Sequence, residues 1–305
     1  MKKIKDIIQM ALPSSKIKND IQIKYNQCGT LRPINISELS LTISMKKKVL
    51  DIRQQHDKIN IIRDNQKLTL IIPYRNREEH LKEFLPALQN RLNEQNIDYE
   101  ILIAEQDDIN LFNKAKLMNL AVTQARQDST YFVFHDVDSM PTNIDYRYCN
   151  HSLKLFNHIK RYEKYYEEYQ QTIFGGAILV PKDIFLNING FSNNYWQWGK
   201  EDDDFLFRHL FKGFNPLYDA EGKLRMLPHP LSVTLDVNGN ITNDTKVLQQ
   251  NKKLSDKNKK TFSKFKRGLL NQDDDGINSL SDYTISSIST QNRIKTIKIK
   301  FEKSL

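Results

Sequence analysis

Three short apolar runs, set apart by two amphipathic stretches, restrict this chain more than any other feature it has. Residues 68–74 (LTLIIPY), 99–104 and 131–135 are rich in β-branched and aromatic side chains and too short for buried helices; they read as strands. Between the first two, residues 78–95 carry Leu81, Phe84, Leu85, Leu88 and Leu92 at helical spacing behind two opening acids, Glu78 and Glu79, which suit a helix N-terminus. Residues 113–127 repeat the amphipathic pattern. Strand, helix, strand, helix, strand at this pace predicts an α/β fold, a mostly parallel sheet with right-handed crossovers and helices on its faces. Farther on, 145–170 reads as helical, 176–180 as a short strand and 181–189 as a helix opened by Pro181.

The third strand stops at two carboxylates, Asp136 and Asp138, in YFVFHDVDSMP. Open α/β sheets bind ligands beyond the carboxyl ends of their strands. Two acids at i and i+2 with no cation between them call for a hard divalent cation. As a bare pattern Asp-x-Asp is weak, because solvated loop acids produce it too. A second acid run, Glu201-Asp202-Asp203-Asp204, precedes FLFRHLFKG, a helix ending at Gly213. One or two acids would serve a helix start, worth about 1 kcal/mol. Four in succession repel and raise one another's pKa, so a chemical role such as general base is expected. The loop before them, GFSNNYWQWGK, holds Tyr195 and both tryptophans; stacking on sugar rings and simple core packing both fit. Arg75 and Arg77 follow the first strand, where guanidinium forks clamp phosphates. His229 stands after Arg225-Met226-Leu227-Pro228 on a short strand; a lone His is usually structural, yet an Asp/His pair completes a transition-metal site.

At 305 residues the chain can bury a sizeable core in one large or two medium domains. The net charge of +9 is concentrated in the first 50 residues and after Lys246. Those segments read as solvated surface or as attracted to an anionic membrane or polyanionic ligand; no motif supports nucleic acid. No apolar run approaches the ~20 residues of a membrane span, and the opening apolar stretch, broken by Asp6 and Gln9, does not match a secretory signal but is compatible with a short amphipathic surface helix. Two cysteines, Cys28 and Cys149, are too few for a disulfide framework and fit a reducing compartment. The expected setting is cytoplasmic, with peripheral attachment at the inner membrane face as one reading of the basic segments.

The segments IIPYRNREEHL (71–81), FNKAKLMNLA (112–121), FVFHDVDSMP (132–141), FGGAILVPKDIFLNINGFSNNYWQWGKEDDDF (174–205), RMLPH (225–229) and DGINSL (275–280) together resemble the β1,4-galactosyltransferase family, glycosyltransferase family 7. The resemblance spans about residues 66–285, leaving 1–65 as an N-terminal extension and 286–305 as a basic strand or tail. It implies a GT-A fold and inverting, Mn²⁺-dependent transfer of a galactose-type sugar from UDP to a GlcNAc, glucose or xylose acceptor. By that likeness Pro73, Arg75, Arg77, Phe112 and Lys114 line the donor diphosphate site, Lys114 standing where the family has Arg. Asp136 contacts donor sugar or ribose, and Gly176 lies in the same site. Asp138, Met226 and His229 match the metal ligands. Trp198, with Tyr195, covers the sugars in a loop that closes. Glu201, Asp202 and Asp203 hold the acceptor, and Asp202 is the base. Ile173 replaces the Tyr of galactose-specific members, which leaves room for the acetamido group of UDP-GalNAc beside UDP-Gal. Cys149 matches a family cysteine whose partner's place lies near Tyr131, so that bridge is expected to be absent.

Two rivals remain at this point. A haloacid-dehalogenase-like phosphatase also starts from strand-Asp-x-Asp, but wants Thr or Val where this chain has Met140-Pro141. A non-catalytic glycan-binding module shares a fold without sharing chemistry.

Overall fold

The computed structural model describes residues 31–33, 66–148, 153–159, 175–214, 216–228, 235–236 and 240–302. Their ten strands form one sheet. In chain order they are β1 (Leu31–Pro33), β2 (Lys67–Tyr74), β3 (Asp98–Gln106), β4 (Tyr131–His135), β5 (Ser139–Asn143), β6 (Leu153–Ile159), β7 (Ala177–Pro181), β8 (Pro216–Met226), β9 (Tyr283–Gln291) and β10 (Ile294–Phe301). The helices are α1 (Glu78–Glu94), α2 (Lys114–Gln124), α3 (Lys182–Asn187), α4 (Glu201–Phe211) and α5 (Thr245–Lys266). Across the sheet the order is β1-β8-β6-β7-β4-β2-β3-β10-β9, with β5 pairing to β8.

The centre, β4-β2-β3-β10, is parallel throughout, as the alternating strands and helices require. Antiparallel pairs flank it: β7 on β4, and β9 on β10. Because side chains alternate along a strand, each central strand feeds two cores. Leu68, Leu70 and Ile72 of β2 and Tyr131 and Val133 of β4 meet Phe84, Leu88 and Leu92 of α1. Ile71, Phe132 and Phe134 join α2, α3, α4 and α5 on the other face. There Phe134 packs edge-on against Phe191 at 4.9 Å, and Phe191 stacks on Phe205 at 3.8 Å. Each such fully buried ring contributes about 1.5–3 kcal/mol, and this cluster seats the first turn of α4 behind the strand ends.

Three expectations are corrected. Residues 153–159, expected within a helix, form β6, parallel to β8 and antiparallel to β7. It pairs along its length with β8 and at Lys154 and Leu155 with β7, a tertiary demand that outweighs the local Tyr/Lys composition. Of the strand or tail expected from 286 onward, the strand is what forms, with β10 running beside β3 in register Ile294↔Ile101 to Ile299↔Gln106. The boundary at 285/286 falls inside β9. The lysine-rich segment after Lys246 is ordered helix, α5, burying Asn251, Asn258, Phe262 and Phe265.

Candidate active site

Lys114 is the point where the site comes together. It is the first residue of α2, whose cap Asn113 accepts the Lys116 N–H at 2.9 Å and is itself fixed by its own N–H to Gln106 Oε1 at 3.0 Å. A cation in a helix's first turn opposes the helix dipole, so something stronger must hold it there. Its Nζ lies 3.0 Å from Asp136, 3.2 Å from Asp202 and 3.6 Å from Glu201. Burial alone would lower the Lys114 pKa, but these three carboxylates raise it well above its ordinary value.

Asp136 comes from the end of β4, and Asp202 and Glu201 from the first turn of α4. Asp202 is pushed up to about 7, chiefly by burial, with Glu201 and Asp136 adding to it and Lys114 opposing. A carboxyl poised there is a competent base near neutral pH. It has room only because residue 175 is glycine: the φ there is +112°, and a Cβ would collide with the Asp202 carboxylate. Gly176 O accepts the Asp136 N–H at 2.7 Å, so both glycines shape the wall.

Asp138 and Met226 meet across the β5–β8 pair. Ser139, opposite Met226 in the ladder, sets its Oγ 3.2 Å from Asp138 Oδ1 and 3.3 Å from Met226 Sδ. Asp138 O also accepts the Leu227 N–H at 2.7 Å. The Asp138 carboxylate suits a hard divalent ion such as Mn²⁺, with the Met226 thioether as a softer neighbour beside it. Among the described residues no group of three or more His, Cys, Asp or Glu side chains forms a metal cluster. His229, the expected third ligand, and Ile173 lie outside the described residues.

The donor-side residues gather at the same end of the sheet. Pro73 is buried in β2, and Arg75 lies 5.3 Å over the Phe112 ring. Arg75 also donates to Asn110 O at 2.6 and 3.0 Å, so part of its fork anchors the loop after β3. Arg77 is half-buried at the start of α1. Trp198 is 49 % exposed. Its loop is contorted around it, Gln197, Gly199 and Lys200 all having positive φ. Asn258 of α5 donates to Trp196 O at 3.0 Å and Trp198 O at 3.3 Å.

One of the residues expected at the substrate does other work. Tyr195 is 1 % exposed and donates its hydroxyl to Asp204 at 2.9 Å; a flat amphipathic ring in an Asn-rich loop looks alike in sequence whether it faces sugar or core. Asp203 pairs with Lys200 at 2.8 Å in this conformation. Asp204, the fourth acid, is an inner residue, bonded to Arg208 Nε at 2.6 Å. Arg208 in turn donates to Asp275 O at 2.6 Å, and Asp275 accepts from Ser192 and from Asn193 N–H. The DGINSL segment therefore buttresses the loop base.

Sequence reasoning passed over His135. Its Nδ1 lies 3.0 Å from Asp136 O and its Nε2 2.8 Å from Tyr146 Oη. A carbonyl only accepts, so Nδ1 carries the proton and Tyr146 donates to Nε2. This pair holds the turn bearing both aspartates from below. The available signal was a polar residue closing an otherwise apolar strand.

A family model described as the N-terminal region of glycosyl transferase group 7 matches residues 28–150, and one described as the N-terminal domain of galactosyltransferase matches 155–230. Bos taurus beta-1,4-galactosyltransferase 1 is 32 % identical over 239 residues, 72 % of this chain and 57 % of the relative. Caenorhabditis elegans xylosylprotein 4-beta-galactosyltransferase is 36 % identical over 150 residues, 49 % of this chain and 52 % of the relative. The chain spans about half the length of the curated relatives it matches. Among solved structures, the catalytic domain of Drosophila β1,4-galactosyltransferase 7 with xylobiose has a TM-score of 0.59 at 22 % identity, covering 78 % of this chain and 95 % of that one. A mutant of the same protein, complexed with manganese, UDP-Gal and xylobiose, has a TM-score of 0.57 at 21 % identity over the same shares. These likenesses give the sheet and its helices as a GT-A fold. Two consecutive family models in order, and relatives 32 % and 36 % identical over the matched stretches, make this chain a member of glycosyltransferase family 7.

Proposed function

We propose that this chain is an inverting, Mn²⁺-dependent hexosyltransferase moving galactose or N-acetylgalactosamine from its UDP donor, in β1,4 linkage, to a GlcNAc-, glucose- or xylose-type acceptor. The observation that carries the reading is the sharing of one ammonium, Lys114, between Asp136 of the donor side and Asp202 at 3.0 and 3.2 Å. Asp202 takes the proton of the acceptor hydroxyl as that oxygen attacks the anomeric carbon opposite the departing UDP, with Glu201 and Asp203 holding the acceptor. Attack from that face inverts the anomeric centre, much as in an inverting glycosidase. Lys114, Arg75 and Arg77 lie where negative charge grows on the leaving diphosphate. Asp138, Met226 and His229 would hold the Mn²⁺, which supplies further charge neutralisation when bound. Trp198 covers the sugars and excludes water, limiting donor hydrolysis.

Family membership displaces the phosphatase reading. Support for the donor and acceptor classes comes from the manganese, UDP-Gal and xylobiose of the Drosophila neighbour and from the xylosylprotein-directed relative. Assembly of a surface glycan in the cytoplasm is the setting that fits the sequence. UDP release with Mn²⁺, crossing UDP-Gal and UDP-GalNAc with a panel of acceptor monosaccharides, tests the reading. No acceptor-dependent release from either donor sinks it, and glycan binding without release would make the chain a binding module. In the same assay Ile173→Tyr shifts the donor ratio toward UDP-Gal by about tenfold or more.

A further inference from the structure

We infer that α5 is a membrane-docking helix whose outer face lies on an anionic phospholipid surface, with Leu269 and Leu270 entering the interfacial layer. The inference is independent of which sugar is transferred.

Lys246, Lys253, Lys257, Lys260, Lys264 and Arg267 recur at helical spacing and are all exposed. The opposite face buries Asn251, Asn258, Phe262 and Phe265, with Phe262 on Phe207 and Phe265 on Phe211 of α4. With the exposed Lys252 and Lys259 beside them, the cations cover the whole outer face of the helix. The helix's own acid, Asp256, is exposed among them and paired with Lys259 at 3.2 Å. Where the helix ends, Gly268 turns the chain at φ +71°, and Leu269 and Leu270 follow at 64 % and 41 % exposure. A single exposed leucine needs no explanation. Two adjacent ones at the end of a row of six cations give the pattern of an interfacial helix, where charge attracts and apolar side chains enter. A soluble polyanion would account for the lysines and leave the leucines unused. Among the described residues no helix is long and apolar enough to cross a membrane, so contact through this helix is peripheral. The geometry also leaves the site free, because the Trp-loop carbonyls held by Asn258 lie on the buried side of α5.

The test is co-sedimentation of the full chain with phosphatidylcholine vesicles, with or without about one-third phosphatidylglycerol, at about 0.1 M salt. Expected is partitioning onto the anionic vesicles at least ~10-fold stronger than onto neutral ones, weakening as salt rises. Lys253→Glu, Lys257→Glu, Lys260→Glu and Lys264→Glu combined weaken it by ~100-fold or more. Leu269→Ser with Leu270→Ser weakens it about tenfold, with heparin binding unchanged. Absence of binding to anionic vesicles overturns the proposal. So does binding that survives the four charge reversals, which would place the contact elsewhere in the chain. Binding indifferent to the leucine pair and matched by heparin also overturns it, in favour of a soluble polyanion. Unchanged melting of both variants keeps folding out of the comparison.

Discussion

The two ends of α4 present the same ingredients, a buried cation among acids, put to opposite uses. At its first turn, Lys114 faces Asp136, Glu201 and Asp202. Near its last turn, Arg208 faces Asp204 and Asp275. Arg208 is saturated: its guanidinium also reaches Gly190 O at 3.3 Å and Asp275 O at 2.6 Å, and Tyr195 completes Asp204. Lys114 has one compact ammonium for three carboxylates, and Asp202 is pushed up to about 7, first by burial and then by the negative charge of Glu201 and Asp136 left in surplus. A planar fork that meets every acceptor builds structure; a point charge that leaves acids in surplus builds a reactive site.

The largest effects should separate these two centres by what they damage. Arg208→Leu leaves Asp204 buried without its cation and costs about 3–5 kcal/mol, read as a lower melting temperature or denaturant midpoint. Asp202→Asn instead lowers kcat by ~10²–10⁴-fold with melting near that of the parent. If both substitutions mainly unfold the protein, the distinction fails.

Next comes pH. Because Asp202 is raised, the native state holds its proton more tightly than the unfolded chain does. Its contribution to stability is complete below the unfolded carboxylate range and lost as pH rises through about 7. Activity runs the other way, since the base must be ionised: kcat/KM rises through about 7. Lys114→Met removes the cation opposing the shift, so this limb moves to higher pH; an unmoved limb would detach Lys114 from the base.

Smaller effects belong to the loop that links the centres. Asn258→Ala removes the amide that grips the Trp196 and Trp198 carbonyls and costs about 1 kcal/mol, seen as a several-fold fall in kcat/KM. Lys200→Gly relieves a left-handed backbone at φ +82° but loses the Asp203 ion pair. The two nearly cancel, leaving stability within about 1 kcal/mol of the parent.

Much of this was legible before any coordinates. The strands of the parallel centre and the helices between them follow from period and length, and the Asp-x-Asp at the end of β4 from its abrupt polarity. Four adjacent acids could not be apportioned from sequence, because helical rotation sends Asp204 inward to Arg208 while Asp202 meets Lys114. Tyr195 turned out to be core because a flat amphipathic ring in a loop reads alike whether it faces a sugar or the interior. β6 was hidden because its partners lie far along the chain. His135 was overlooked because its two hydrogen bonds are to groups that no spacing rule brings together.

The sheet's parallel centre is finished by β10, and Phe301 secures the loop that Arg75 grips: its N–H donates to Asp108 at 2.7 Å and its carbonyl accepts from Asn110 at 2.6 Å. A nascent chain on the ribosome therefore carries β2, β3 and β4 for nearly two hundred residues of synthesis with one edge of β3 open. Pairing that late is slow and leaves the edge available to wrong partners. The loop that Arg75 grips is thus set only once β10 has paired, long after the acids at the end of β4 have been made.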